Sequence, residues 1–117
     1  MPYISIKTSV TLTMSQENKI VEELGKLITI IPGKAQERLM VRLEDNQLMY
    51  FQGSQGDILM FDIKTFGKAP KEAKEKFAQE SFLMLEEITR VPLKNMFLNI
   101  SETDNWGTNG NYKQIED

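Results

Sequence analysis

"ILMFDIKTFG" at residues 58–67 decides the fold, because it restarts a plan the chain has already run through once. It reads as a strand, and Pro70 just beyond it suits the first turn of a helix. Ala73, Phe77, Ser81, Met84, Leu85 and Ile88 then mark a buried helical stripe, and "NMFLNIS" (95–101) closes the unit as a second strand. Toward the N-terminus, "MPYISIKTSV" (1–10) alternates as a strand should. Tyr3, Ser5, Lys7 and Ser9 face one way; Ile4, Ile6, Thr8 and Val10 face the other. Thr13 and Gln16 form a capping box, and Ile20, Val21, Leu24, Leu27, Ile28 and Ile31 share a helical face that "PGK" (32–34) terminates. "ERLMVRLE" (37–44) returns as a strand, with Leu39, Val41 and Leu43 on one side. The loops "DNQ" and "QGSQGD" enclose "LMYF", a short strand.

The two strand–helix–strand units are offset by about 55 residues, a duplication of architecture with weak residue identity. The fold class is α+β: a duplicated βαβ unit giving one four-stranded mixed sheet with two helices on one face. A single domain is expected over residues 1–112, followed by a polar tail at 113–117. Strands this rich in Ile, Leu, Met and Phe predict an apolar second sheet face larger than the few hundred Å² a monomer tolerates. Self-association is expected to cover it.

Composition removes whole classes of chemistry. The 117 residues carry a net charge of −3, which argues against nucleic acid as a partner. There is no apolar run of membrane-spanning length and no charged-then-apolar leader, so a membrane is not an expected partner and a cytoplasmic location is expected. Export without a signal peptide is the alternative. With no cysteine and no histidine, the chain has no disulfide, thiol nucleophile, imidazole base or ordinary zinc site. Acid–base chemistry near neutral pH is left to a carboxylate, a lysine or the N-terminal amine.

Five spaced motifs together resemble one family: "MPYI" at the start, "GK" at 33–34, "QLMYFQGS" at 47–54, "FGK" at 66–68 and "NISETDNWGTNG" at 99–110. In this order and spacing, across residues 2–112, they resemble macrophage migration inhibitory factor and its microbial relatives in the tautomerase superfamily. The resemblance implies a homotrimer whose three sheets form a central barrel, with an active site at each subunit interface. It also implies removal of Met1, which makes the nitrogen of Pro2 a secondary amine and the catalytic base. Burial and a neighbouring cation both disfavour a protonated amine and bring it toward working pH. Lys34 is implied as that cation and as the binder of a substrate carboxylate. Taken alone, Pro2 carries no message, and Lys34 is a helix-end lysine favoured by the macrodipole.

The resemblance also implies substrate-binding positions. Phe66 precedes "GK" where a backbone N–H contacts substrate, or else it is a strand-end aromatic of the core. Asn99 matches an asparagine given by the neighbouring subunit, Phe97 stands where the human member carries a tyrosine, and Trp106 roofs the pocket or packs at the trimer edge. Thr108 replaces a common aromatic, and the ending "NYKQIED" (111–117) departs from the family pattern and is expected to be mobile. A thiol-oxidoreductase activity needs CxxC, where this chain has "DILM" (57–60). The resemblance also implies that hydratase, dehalogenase and decarboxylase activities need extra arginines or a carboxylate to activate water. Of the arginines, Arg38, Arg42 and Arg90, the first two share a strand face, and nothing in the sequence places them beside Pro2. The activity implied is keto–enol tautomerisation of a small aromatic α-keto acid of the phenylpyruvate type, without metal or organic cofactor. The alternative is a cytokine mimic that engages a host receptor and keeps a vestigial pocket. Should Pro2 not be the base, Glu102 or Asp104 is the next candidate.

Overall fold

The computed structural model describes residues 2–116; the expected loss of Met1 and the last residue of the tail lie outside them. Strand β1 (Tyr3–Thr8) is followed by helix α1 (Met14–Leu27) and β2 (Met40–Glu44). After a β3–β4 hairpin (Tyr50–Phe51, Ser54–Gln55) come β5 (Leu59–Phe66), α2 (Lys71–Thr89) and β6 (Met96–Thr103). A second hairpin, β7–β8 (Asn105–Thr108, Asn111–Gln114), ends the described chain. The sheet order is β2-β1-β5-β6. Each unit makes a parallel pair, β1 with β2 and β5 with β6, and the two pairs join antiparallel through β1 and β5. The duplication read from the sequence is therefore real in the topology.

Both helices cover one face. Ile4, Ile6, Phe61 and Ile63 of the sheet meet Ile20 and Leu24 of α1 and Phe77 and Leu85 of α2 in one core. Phe61 and Phe77 stack edge to face with ring centroids 6.0 Å apart. The capping box at the start of α1 is present: the Gln16 N–H donates to Thr13 Oγ1 (3.1 Å), and the Thr13 N–H donates to Gln16 Oε1 (2.8 Å). Gln16 Nε2 also donates to the Ile88 carbonyl (2.9 Å), which ties the start of α1 to the end of α2.

Five expectations are corrected. The second sheet face is not apolar: Lys7, Arg42, Lys64, Asn99 and Ser101 stand exposed on it, beside Met40 and Phe97. Strict alternation sends most of the apolar side chains of β1 and β5 to the helix side, so a count per strand overstates what the other face holds. Val21, assigned to the buried stripe of α1, is 42% exposed. The strand expected from residue 37 begins at Met40, because Gln36–Arg38 first form a 3-10 turn. Arg38 and Arg42 therefore do not share a strand face. Most of the ending expected to be mobile is ordered: Asn111–Gln114 pair with β7 as an exposed strand.

Candidate active site

Pro2 is buried at the mouth of the sheet, where β1 begins. Its carbonyl accepts the Met40 N–H (3.1 Å), and the next residue, Tyr3, pairs with Met40 on one side and Lys64 on the other. Two strands thus hold the residue immediately after Pro2, which fixes the position of its ring. Pro2 lines a cavity of about 830 Å³ together with Arg38, Met40, Trp106, Thr108 and Lys113, among others.

Lys34 follows Gly33, whose φ of +80° is a left-handed conformation that glycine adopts without strain. The turn is closed by the Lys34 N–H donating to the Ile31 carbonyl (3.1 Å). Its Nζ donates to the Phe66 carbonyl (2.7 Å) at the end of β5. The antiparallel register, carried past Tyr3–Lys64, sets this end of β5 beside the start of β1. Lys34 and Phe66 therefore flank Pro2 from the β5 side, although neither is among the described residues lining the cavity. Partial burial lowers the Lys34 ammonium below its ordinary pKa, opposed by the field of Glu102.

The structure separates the other two sequence-derived positions from this group. Phe97 pairs with Met60 and Asn99 with Asp62, and those residues lie opposite Lys7 and Ser5 of β1. At about 3.3 Å per residue, Phe97 sits about 16 Å along the sheet from Pro2 and two strands away. Phe97 stacks on Phe51 (centroids 4.8 Å), and Asn99 Nδ2 donates to Ser101 Oγ (2.8 Å). Within one chain they do not reach the Pro2 cavity.

Arg38 and Lys113 line the cavity and were not singled out from the sequence as site residues. A signal existed for Arg38: it stands two residues before Met40, the residue paired with Tyr3. It was hidden by reading 37–44 as one continuous strand. Lys113 is opposite Trp106 in the hairpin register, and the reading of residues 111–117 as mobile concealed it.

Glu102 is poorly suited to be a base. Its carboxylate accepts from Lys74 Nζ (2.7 Å) and from the Ala69 N–H (2.7 Å), joining β6 to the start of α2. The Lys74 hydrogen bond outweighs desolvation by burial and, helped by the Ala69 N–H, holds its pKa below the ordinary carboxyl range. Glu102→Ala should cost about 1–3 kcal/mol of stability at neutral pH. Because the folded pKa is depressed, this stabilisation is complete above the unfolded carboxyl pKa of about 4.3 and disappears as pH falls through the lower folded value. Urea unfolding at pH 7 and near pH 3 tests this. An equal difference between parent and variant at both pH values would show that the ionised carboxylate contributes nothing.

Comparison with known proteins is consistent with this geometry. A family model described as macrophage migration inhibitory factor (MIF) matches residues 1–112. The crystal structure of Leishmania major MIF2 superposes with a TM-score of 0.88 at 18% identity, covering 96% of this chain and 97% of that one. A macrophage migration inhibitory factor-like protein from Entamoeba histolytica gives 0.82 at 22% identity, over 95% and 97% of the two chains. The protein Pt0534, whose structure was solved after inactivation by 2-oxo-3-pentynoate, gives 0.80 at 16% identity, over 92% and 93%. No curated protein matches the chain by sequence.

Proposed function

The chain belongs to the macrophage migration inhibitory factor family, and we propose that it is a cofactor-independent keto–enol tautomerase of small 2-oxo acids of the phenylpyruvate type. The observation that carries this reading is Pro2, buried at the head of β1 in a cavity shared with Trp106 and Arg38 and flanked by Lys34. With Met1 removed, the Pro2 nitrogen takes a proton from C3 of the keto acid. The C–H electron pair becomes the C2–C3 double bond, negative charge gathers on the C2 oxygen, and protonation there gives the enol. The reverse sequence returns the keto form. Lys34 neutralises the substrate carboxylate; Trp106 supplies an apolar wall. The inactivation of Pt0534 by a 2-oxo acid favours the same substrate head group.

The assembly proposed is a homotrimer with the site at each interface, Phe97 and Asn99 being given by the neighbouring copy. Two observations support association. The β3–β4 and β7–β8 ribbons stand outside the main sheet, where two-stranded hairpins alone are marginal in water. The radius of gyration, 14.8 Å, also exceeds the roughly 13 Å of a compact chain of this size. Sedimentation velocity should show three times the 13.5 kDa chain mass. A stable monomer at micromolar concentration overturns the trimer and leaves the cavity without Phe97 and Asn99.

The activity is tested by following enol loss and formation of phenylpyruvate in ultraviolet absorbance, with intact mass confirming a free Pro2 amine. A Met1-free, assembled protein that does not exceed the buffer rate refutes the proposal.

A further inference from the structure

The Pro2 cavity holds cations that the tautomerase reading, with Lys34 on the single substrate carboxylate, leaves without a role. Arg38 and Lys113 line it, and Glu37 is the single carboxylate among its described lining residues. Six other cations, Lys19, Lys26, Arg42, Lys71, Lys74 and Lys76, have carboxylate partners within 4 Å. Among the described residues, neither Arg38 nor Lys113 has one. Position adds to charge. In the order β2-β1-β5, Arg38 precedes β2 on one side of Pro2, while Lys34 reaches the end of β5 on the other. The two cations thus approach Pro2 from opposite sides of β1. A cation at each end and a base in the middle is the pattern of a site for a doubly charged chain.

We propose that this site selects 2-oxo diacids: Lys34 holds the carboxylate next to the keto group, and Arg38, with Lys113 near it, holds a second carboxylate. The proposal rests on the tautomerase reading for the place of Pro2, keeps its 2-oxo acid head group and replaces the aromatic tail with a second carboxylate as the preferred substrate feature. The planar fork of Arg38 suits a carboxylate in a bidentate contact, which a lysine matches less well. Arg38 is thereby the specificity-determining residue, and a phenyl ring on the substrate becomes dispensable.

Binding is measured by calorimetry on the full chain with two probes, 2-oxoglutarate and 2-oxobutyrate. They share the keto-acid head; only the first has a second carboxylate. The parent should bind 2-oxoglutarate about 10- to 100-fold more tightly, the worth of one charged hydrogen-bonded contact. Arg38→Ala should remove that margin, Arg38→Lys should restore part of it, and Arg42→Ala, on the open sheet face and paired with Glu44, should retain it in full. Equal affinity of the parent for both acids overturns the proposal, as do a margin that survives Arg38→Ala and a failure to bind either acid. Binding does not require turnover, so the two readings fail separately. Tight, Arg38-dependent binding of 2-oxoglutarate without enolisation would remove the tautomerase while leaving the diacid site standing.

Discussion

Pro2→Gly, made in the protein freed of Met1, should lower the rate of phenylpyruvate tautomerisation by about 10²–10⁴-fold, the usual worth of a positioned general base. The substitution keeps an N-terminal amine but makes it primary and lets it swing. It should cost little stability. The backbone hydrogen bond of Pro2 is through its carbonyl, which accepts the Met40 N–H, and glycine keeps that carbonyl. From Tyr3 onward β1 is held on both sides by β2 and β5. A folded, assembled Pro2→Gly protein at full rate sinks the assignment. Proton abstraction would then pass to Glu37, the carboxylate lining the cavity, rather than to Glu102, whose oxygens already accept from Lys74 and Ala69. Retention of Met1 should have an effect at least as large, because the Pro2 nitrogen becomes an amide without a basic lone pair.

The elements of this fold were legible because they are periodic. The alternation Ile4, Ile6, Thr8 and the stripe Phe77, Ser81, Leu85 each point one set of side chains inward, and all six are buried. Thr13 and Gln16 announced the start of α1 by their chemistry, and both hydrogen bonds of the box are made. What escaped was local or non-periodic. The 3-10 turn at Gln36–Arg38 consists of residues that a strand also accepts. The β7–β8 hairpin is almost wholly exposed, so no apolar alternation marks β8, and its turn at Asn109–Gly110 is the main local signal. These two segments carry Arg38 and Lys113. The cationic character of the cavity stayed hidden for that reason.

The candidate site was legible in part for a different cause. Pro2 and Lys34 are distant in sequence, and no local pattern connects them. Their proximity follows from β1 pairing with β5, because Lys34 reaches the carbonyl that ends β5. Phe97 and Asn99, by contrast, are placed by the register several residues from Pro2 along the sheet. A role for them at a Pro2 cavity requires a second copy of the chain. The site reading and the assembly reading are thus one claim at these two positions and separable at the others.

Lys34→Ala carries the second large effect: kcat/KM on phenylpyruvate should fall by about 10²-fold, from one charge-assisted contact of about 1.5–3 kcal/mol. Most of the loss should appear as a higher KM, since the carboxylate is held in the ground state as well as in the transition state. A smaller part should appear in kcat, because the ammonium also stabilises the charge that gathers on the C2 oxygen and favours an unprotonated Pro2. Folding should survive the change. The Phe66 carbonyl that loses its donor belongs to a half-buried residue at a strand end, within reach of water. The methyl ester of phenylpyruvate separates this role from a structural one. It has the keto group and the ring but no carboxylate, so on the ester the parent and Lys34→Ala should differ by much less than on the acid. An equal loss on both substrates would mean that Lys34 acts by holding the end of β5 in place, and unchanged kinetics on the acid would reduce it to the residue that closes the turn after α1. Burial lowers the ammonium below its ordinary 10.5, and the carboxylate contact requires the charged form. The KM for the acid should therefore rise on the alkaline side at a pH below that value, while the KM for the ester stays level.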